Sequence, residues 1–343
     1  MRVLHSDDHR LHAPEGELYG GRLVPPFETP RRVETILARL AERGFADVVA
    51  PPPPDLAAIE ALHDAAYLGF LRTAHAEWRA AGFEGDVIAA SFPARRMRTD
   101  RPPRHIDGRA GFFALASETA IAERTWEAAL ASAACAQGAA AHVAGGARAA
   151  FALCRPPGHH ATADMYGGYC FLNNAALAAE RLRAEGAARV AVLDVDFHHG
   201  NGTQDLFWAR GDVLFLSLHG DPMDAFPYYL GFADETGAGA GEGCNRNYPL
   251  PPGTGYGPWS EALGDALGRV RAFGAEALVV SLGVDAFRDD PISFFRLESA
   301  DFLDAGRRIG RLGLPTVLCL EGGYAVEAAG VNVVNVLEGV EEG

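Results

Sequence analysis

Three apolar runs in this chain each end in residues that carry chemistry. ARVAVLDVDFHHGNG runs into Asp194, Asp196, His198 and His199, ALVVSLGVDAF into Asp285, and TVLCLEGGY into Tyr324. A continuous apolar run of this length, bounded by glycines, reads as a parallel strand buried on both faces. In open α/β sheets, ligands gather at the carboxyl ends of such strands. A sequence that sends carboxylates, histidines and a tyrosine to one sheet edge is therefore held to an α/β fold with its active site at that edge. These residue types also point to a metal.

The rest of the chain fits that frame. MRVLHS reads as a first strand, and residues 31–43 place Val33, Ile36, Leu37 and Leu40 on one helical face before Gly44 stops the helix. Residues 55–81 read as helical. Residues 82–110 are rich in Gly, Pro and Arg and read as a long loop, either functional or simply solvated. A helix is expected over 125–144, capped by Thr125, then the strand leading into RPPGHH. Helix and strand alternate from there, with strands at 188–195, 212–218, 277–283 and 315–320, a glycine-rich loop at 231–243, and a short terminal helix. This alternation predicts an open, mostly parallel sheet with helices on both faces. No composition break divides residues 1–343, so a single domain is expected, with the loop at about 82–110 as an insertion.

Composition narrows the partners. The formal net charge is −15, which argues against nucleic acid and favours cationic ligands, although acidic solubility alone would also account for it. No run of about 18 apolar residues appears, so no membrane span is expected. The start carries two acids and no signal-peptide core, and the five cysteines form no CxxC pair. A cytoplasmic location is expected.

Asp196 and His198 are two apart at a strand end and so point to the same side. Asp285 ends a second strand and can supply a third ligand. Two carboxylates and an imidazole suit a catalytic zinc with room left for water and substrate. Two-metal centres on related folds use Asp-x-His-x-Asp and Asp-x-Asp, whereas this chain has Gly200 and Phe287 at the positions of the second acids. One divalent ion per subunit is expected. Asp194 is left either to orient a histidine or to bind a monovalent cation.

RPPGHH places His159 and His160 behind an apolar strand, with two prolines fixing the approach and Gly158 permitting a tight turn. With GGYCFLNNAA, LDVDFHHGNGTQ, SLGVDAF and LEGGY, in that order and at matching separations, the chain resembles the histone deacetylase and acetylpolyamine amidohydrolase superfamily. ELYGG, LVPPFETP, SLHGDP and DPISFF extend the resemblance over essentially the whole chain.

The resemblance implies an arginase–deacetylase type fold with zinc on Asp196, His198 and Asp285. It implies that Tyr324 donates to the amide carbonyl as an oxyanion forms, and that Asp194 backs His159 while Asn201 backs His160. An imidazole against a carboxylate holds its proton more tightly than one against an amide. His160 is therefore expected as base and then acid to the leaving amine, with His159 stabilising charge. By position, Asp194, Ser217 and Leu218 match an inner potassium or sodium site, and Phe207, Arg210 and Val213 part of an outer one. Gly168, Tyr169, Phe226 and Ile292 match a narrow channel for an alkyl stem, with Glu118 and Asp107 near its entrance.

The expected activity is removal of acetyl groups from acetylated polyamines of the acetylputrescine, acetylcadaverine and acetylspermidine type. A homodimer is implied, in which Phe226 and the arginine-rich loop narrow the entrance. The alternatives are a deacetylase of protein acetyl-lysine and a non-catalytic ligand sensor; the missing second-metal ligands disfavour a ureohydrolase. Glu118 has a plain reading too, as an ordinary solvated helix acid.

Overall fold

The computed structural model describes residues 1–343. In chain order, β1 (Arg2–Leu4) leads to the hairpin β2 (Glu17–Tyr19) and β3 (Arg22–Val24), then α1 (Arg31–Glu42) and β4 (Val48–Val49). Four helices follow, α2 (Leu56–Leu62), α3 (Ala65–Ala80), α4 (Ile106–Phe112) and α5 (Thr125–Ala144), before β5 (Ala149–Ala152). Next come α6 (Asn174–Ala184), β6 (Val190–Asp194), α7 (Asn201–Phe207), β7 (Val213–Gly220) and β8 (Asn245–Leu250). The chain ends with α8 (Tyr256–Phe273), β9 (Ala277–Leu282), α9 (Ser299–Gly310), β10 (Thr316–Leu320) and α10 (Val326–Glu342).

Eight strands form one sheet in the order β4-β1-β5-β10-β9-β6-β7-β8, and every pairing is parallel. Every residue of β6, β7, β9 and β10 is buried, which requires cover on both faces. One group of helices runs α1, α10, α9, α8, each packed on the next, and α5 packs on α6 in the other. The four central strands β5, β10, β9 and β6 are neighbours, and their carboxyl ends carry RPPGHH, EGGY, GVDAF and DVDFHHG. Four motifs far apart in sequence therefore meet at one edge. A second, smaller core beneath α3 and α4, built on Tyr67, Phe70, Phe113, Tyr166 and Phe171, seats the loop that crosses this edge.

Several expectations need correction. The helices expected over 55–81 are two, α2 and α3, divided at His63–Asp64, where the Asp64 carboxylate accepts from Ala66 N and Tyr67 N and starts the second. Thr125 is the first helical residue rather than the cap; its hydroxyl accepts from Ala122 N and meets His12 Nδ1. The long loop ends sooner than expected, because α4 begins at Ile106. The terminal helix is 17 residues long rather than short, because Val333, Val336, Leu337 and Val340 pack into the main core. The strand β8, the two-residue β4 and the hairpin β2–β3 were not foreseen. No helix is long and apolar enough to cross a membrane.

Candidate active site

Three ligand-type side chains converge where β6 and β9 end. His198 Nδ1 lies 3.0 Å from Asp285 Oδ2 and 3.3 Å from Asp196 Oδ1, and all three residues are buried. Backbone amides aim the carboxylates: Phe197 N donates to Asp285 Oδ1 at 2.7 Å, and Gly322 N to Asp196 Oδ2 at 2.7 Å. A Cβ at Gly322 would lie 2.6 Å from Asp196 Oδ2 and 2.7 Å from Asp285 Oδ2, so only glycine lets the β10 loop close over this pair.

No guanidinium pairs with either acid, and two buried carboxylates side by side are costly without a cation. The cost falls on Asp285. Burial and the neighbouring Asp196 push the Asp285 carboxyl up to about 8. His198 is buried too, yet hydrogen bonds to Asp196 and Asp285 raise it to about 9. A divalent cation fits this donor set, supplying the missing charge and meeting the preference of zinc for mixed imidazole and carboxylate ligands.

Two histidines flank this centre with opposite proton affinities. His159 Nδ1 lies 2.9 Å from Asp194 Oδ2, and His160 Nδ1 lies 2.6 Å from Asn201 Oδ1 at the start of α7. Burial would strip a proton from His159, but Asp194 and Asp196 outweigh it and raise the ring to about 10. For His160, burial is reinforced by His159 and His198, and the ring is held well below the usual imidazole range. The loop carrying both is pinned by Glu321, whose Oε2 accepts from Gly158 N at 2.7 Å and His159 N at 3.1 Å. Gly158 packs too closely for a side chain; a Cβ there would lie 2.4 Å from Asn174 N.

A cavity of about 380 Å³ opens above these groups, lined by His160, Gly168, Tyr169, His198, Phe226, Ile292, Tyr324 and Glu118. Gly168 and Tyr169 both have positive φ, at 54° and 66°. Their amides donate to Glu118 Oε1 and Thr119 Oγ1, each at 2.8 Å, and the Tyr169 hydroxyl donates to Glu17 Oε1 at 2.9 Å. Gly168 must be glycine, since a Cβ would lie 2.1 Å from His160 Cδ2. Phe226 meets His160 edge-on with ring centroids 5.1 Å apart. Tyr324 is fixed by its amide, which donates to Asp290 Oδ2 at 2.7 Å, and by the Arg32 guanidinium 4.9 Å from its ring centre.

Not every sequence-derived site residue is brought here. Glu118 lines the cavity; Asp107 does not, because it lies in the first turn of α4, which packs on α3. Asp194 and Ser217 face each other across β6 and β7, but the Ser217 hydroxyl is bonded to His219 Nδ1 at 2.8 Å. Leu218 and Val213 are buried strand residues of β7. Arg210 is held by Asp212 and Glu180 at 2.7 and 2.8 Å and stacks near Phe207. Glu17, Arg32, Asp290 and Glu321 were missed, as were Leu18 and Tyr19 of the hairpin at the cavity rim. The motifs ELYGG, DPISFF and LEGGY contain or adjoin most of these, and were the one available signal.

Known proteins of similar sequence and fold identify the family. Residues 26–340 match the histone deacetylase domain. The chain is 58% identical over 340 residues to the acetylpolyamine amidohydrolase of Mycoplana ramosa, covering 99% of each. It is 54% identical over 342 residues to acetylpolyamine amidohydrolase 1 of Pseudomonas aeruginosa, again covering 99% of each. The crystal structure of acetylpolyamine aminohydrolase from Burkholderia pseudomallei superposes with a TM-score of 0.94 at 43% identity, covering 99% of this chain and 98% of that one. Shared motifs, shared fold and full-length similarity lead to one conclusion: the chain belongs to the histone deacetylase and acetylpolyamine amidohydrolase superfamily and is a hydrolase of that family.

Proposed function

We propose that this enzyme removes acetyl groups from small acetylated polyamines such as acetylputrescine, acetylcadaverine and acetylspermidine, releasing acetate and the free amine. The observation that carries the reading is a narrow aromatic cavity with Tyr324, His160 and the Asp196–His198–Asp285 donor set at its base and the Glu118 carboxylate in its wall. The names of its relatives support the same substrate class. A zinc ion on Asp196, His198 and Asp285 would supply Lewis acidity towards the amide carbonyl and a water molecule.

The remaining chemistry belongs to the side chains. Tyr169 and Phe226 flank an alkyl stem and keep bulk water from the reacting bond. Burial holds the Tyr324 hydroxyl well above the usual phenol range, so it stays a donor and hydrogen-bonds the carbonyl oxygen as negative charge develops. With Nδ1–H donated to Asn201, His160 presents a bare Nε2 that takes a proton from the attacking water and returns it to the leaving nitrogen. Protonated His159 stabilises the charge that builds between them. A potassium or sodium ion on Asp194 and nearby strand carbonyls belongs to this reading, as does a homodimer. Tyr229 and Met223, 83% and 75% exposed near the cavity mouth, offer the apolar surface such a dimer would cover.

Asn201→Asp tests the proton path. A carboxylate on Nδ1 favours the charged imidazole, so the pKa of His160 rises. A general base works unprotonated, so the acidic limb of the kcat/KM profile should move to higher pH. No movement, or movement to lower pH, would remove His160 from the base role.

Glu118→Gln tests the substrate. Glutamine keeps an acceptor for Gly168 N but loses the charge. A carboxylate about 4 Å from an ammonium gains roughly 4 kcal/mol of gross Coulomb energy at an effective dielectric of about 20. After desolvation and screening, about a tenfold loss in kcat/KM is expected for acetylputrescine, and almost none for a neutral acetylated alkylamine of equal length. Equal losses on both would assign Glu118 to holding Gly168. Faster turnover of acetyl-lysine peptides than of every acetylpolyamine would favour the protein-deacetylase alternative.

A further inference from the structure

We propose that His5, Asp7 and His9 form a second, weaker divalent-cation site at the carboxyl end of β1, outside the active-site cavity. His5 follows the strand directly, and Asp7 and His9 lie in a 3-10 turn spanning Asp7–Leu11, held by the Ser6 side chain accepting from Asp8 N at 3.2 Å. The turn after the strand brings two imidazoles and one carboxylate together. Donor atoms from all three lie within 4.8 Å of one another. His5 Nε2 and Asp7 Oδ1 are 3.5 Å apart, close to the roughly 3.4 Å edge of a tetrahedron with zinc bonds of about 2.1 Å.

The independent observation is His9. It is 1% exposed, and neither of its ring nitrogens has a partner. Leaving a buried polar group unpaired typically costs about 1–3 kcal/mol, and native structures rarely do so. The other buried histidines each have a ring bond: His12 to Thr125, His63 to Thr162, His199 to Gln204, His219 to Gly231, and His159, His160 and His198 within the active site. His5 Nδ1 is also buried without a partner. Two imidazoles with unused nitrogens and one carboxylate form a donor set for a borderline ion such as zinc, cobalt or nickel.

Arg10 competes for Asp7, with its guanidinium 3.3 Å from Asp7 Oδ1 and 3.4 Å from Glu34 Oε1. Asp7 and Arg10 are 81% and 52% exposed, and an exposed pair of this kind contributes little. Arg10 can leave Asp7 and keep Glu34. None of the three ligand residues lines the catalytic cavity, so filling this site does not require touching the first ion.

The experiment is equilibrium dialysis of enzyme already holding one divalent ion per chain against increasing zinc(II), with a thermal melt at each concentration. The wild type should take up a second zinc with an affinity on the order of micromolar, and its Tm should rise as it does. Asp7→Asn and His5→Phe should each weaken that second uptake about tenfold or more and shift the rise in Tm to correspondingly higher zinc. Their first ion, their turnover and their Tm without added zinc should match the wild type. No second ion in the wild type at millimolar zinc, or a second ion bound equally well by both variants, would overturn the site.

Discussion

Tyr324→Phe is expected to keep its metal and its fold while turnover falls about a hundred- to a thousandfold, equivalent to roughly 3–4 kcal/mol of lost transition-state stabilisation. What holds this residue does not depend on its hydroxyl. The amide is bound by Asp290, the ring stacks under Arg32, and Arg32 Nε itself donates to Gly323 O at 2.7 Å. Phenylalanine preserves all of these. Only the donor aimed into the cavity is lost. Because a carbonyl oxygen accepts more strongly as it becomes an oxyanion, the loss should fall on kcat more than on KM. Metal analysis, kcat and KM on acetylputrescine check this together. A variant with one ion per chain and turnover within a few-fold of wild type would take Tyr324 out of the chemistry.

The parts of this site that were legible in the sequence are those carried by buried strands. β6, β9 and β10 are mostly apolar because helices cover both faces, so the charged residues at their carboxyl ends mark the sheet edge. Adjacent or alternate residues such as His159–His160 and Asp196–His198 needed no tertiary knowledge to be grouped. β8 was illegible for the opposite reason. It is an edge strand, NRNYPL, in which Asn245 and Asn247 turn inward to Gln204 and Tyr248 turns outward to Asp265.

The supporting carboxylates were also hidden. Glu28, in the loop before α1, reaches Arg32 four residues on but Arg155 from 127 residues away, Asp290 reaches Tyr324 across 34, and Glu17 reaches Tyr169 across 152. No local pattern encodes such pairings; only the strand order that interleaves β10 between β5 and β9 creates them. Asp107 failed as a site residue by the same logic, because closeness to the arginine-rich loop in sequence did not bring it to the cavity of its own chain.

Asp285→Asn is expected to empty the catalytic centre and abolish activity without weakening the metal-free fold. The carboxylate has two jobs that this substitution separates. Its Oδ1 accepts from Phe197 N at 2.7 Å, and the amide oxygen of asparagine can still do so. Its Oδ2 faces His198 Nδ1 at 3.0 Å, where a charged donor is needed to hold a divalent ion beside Asp196. The sign of the stability effect follows from the raised carboxyl. A folded-state value of about 8, above the ordinary carboxylate value of about 4, means that the empty site disfavours the charge. The contribution of this carboxyl to the stability of the metal-free wild type is therefore lost as pH rises from about 4 towards 8, and a neutral amide at this position removes that loss. Metal-free Asp285→Asn should melt at or above metal-free wild type at pH 8, and the two should converge near pH 4. The metal-loaded wild type should melt above both, by linkage to the bound ion. Metal content after dialysis, turnover and melting temperature at the two pH values test each part. One ion retained per chain with near-normal turnover would refute the ligand role. A metal-free variant that melts well below metal-free wild type at pH 8 would mean instead that the carboxylate supports the fold.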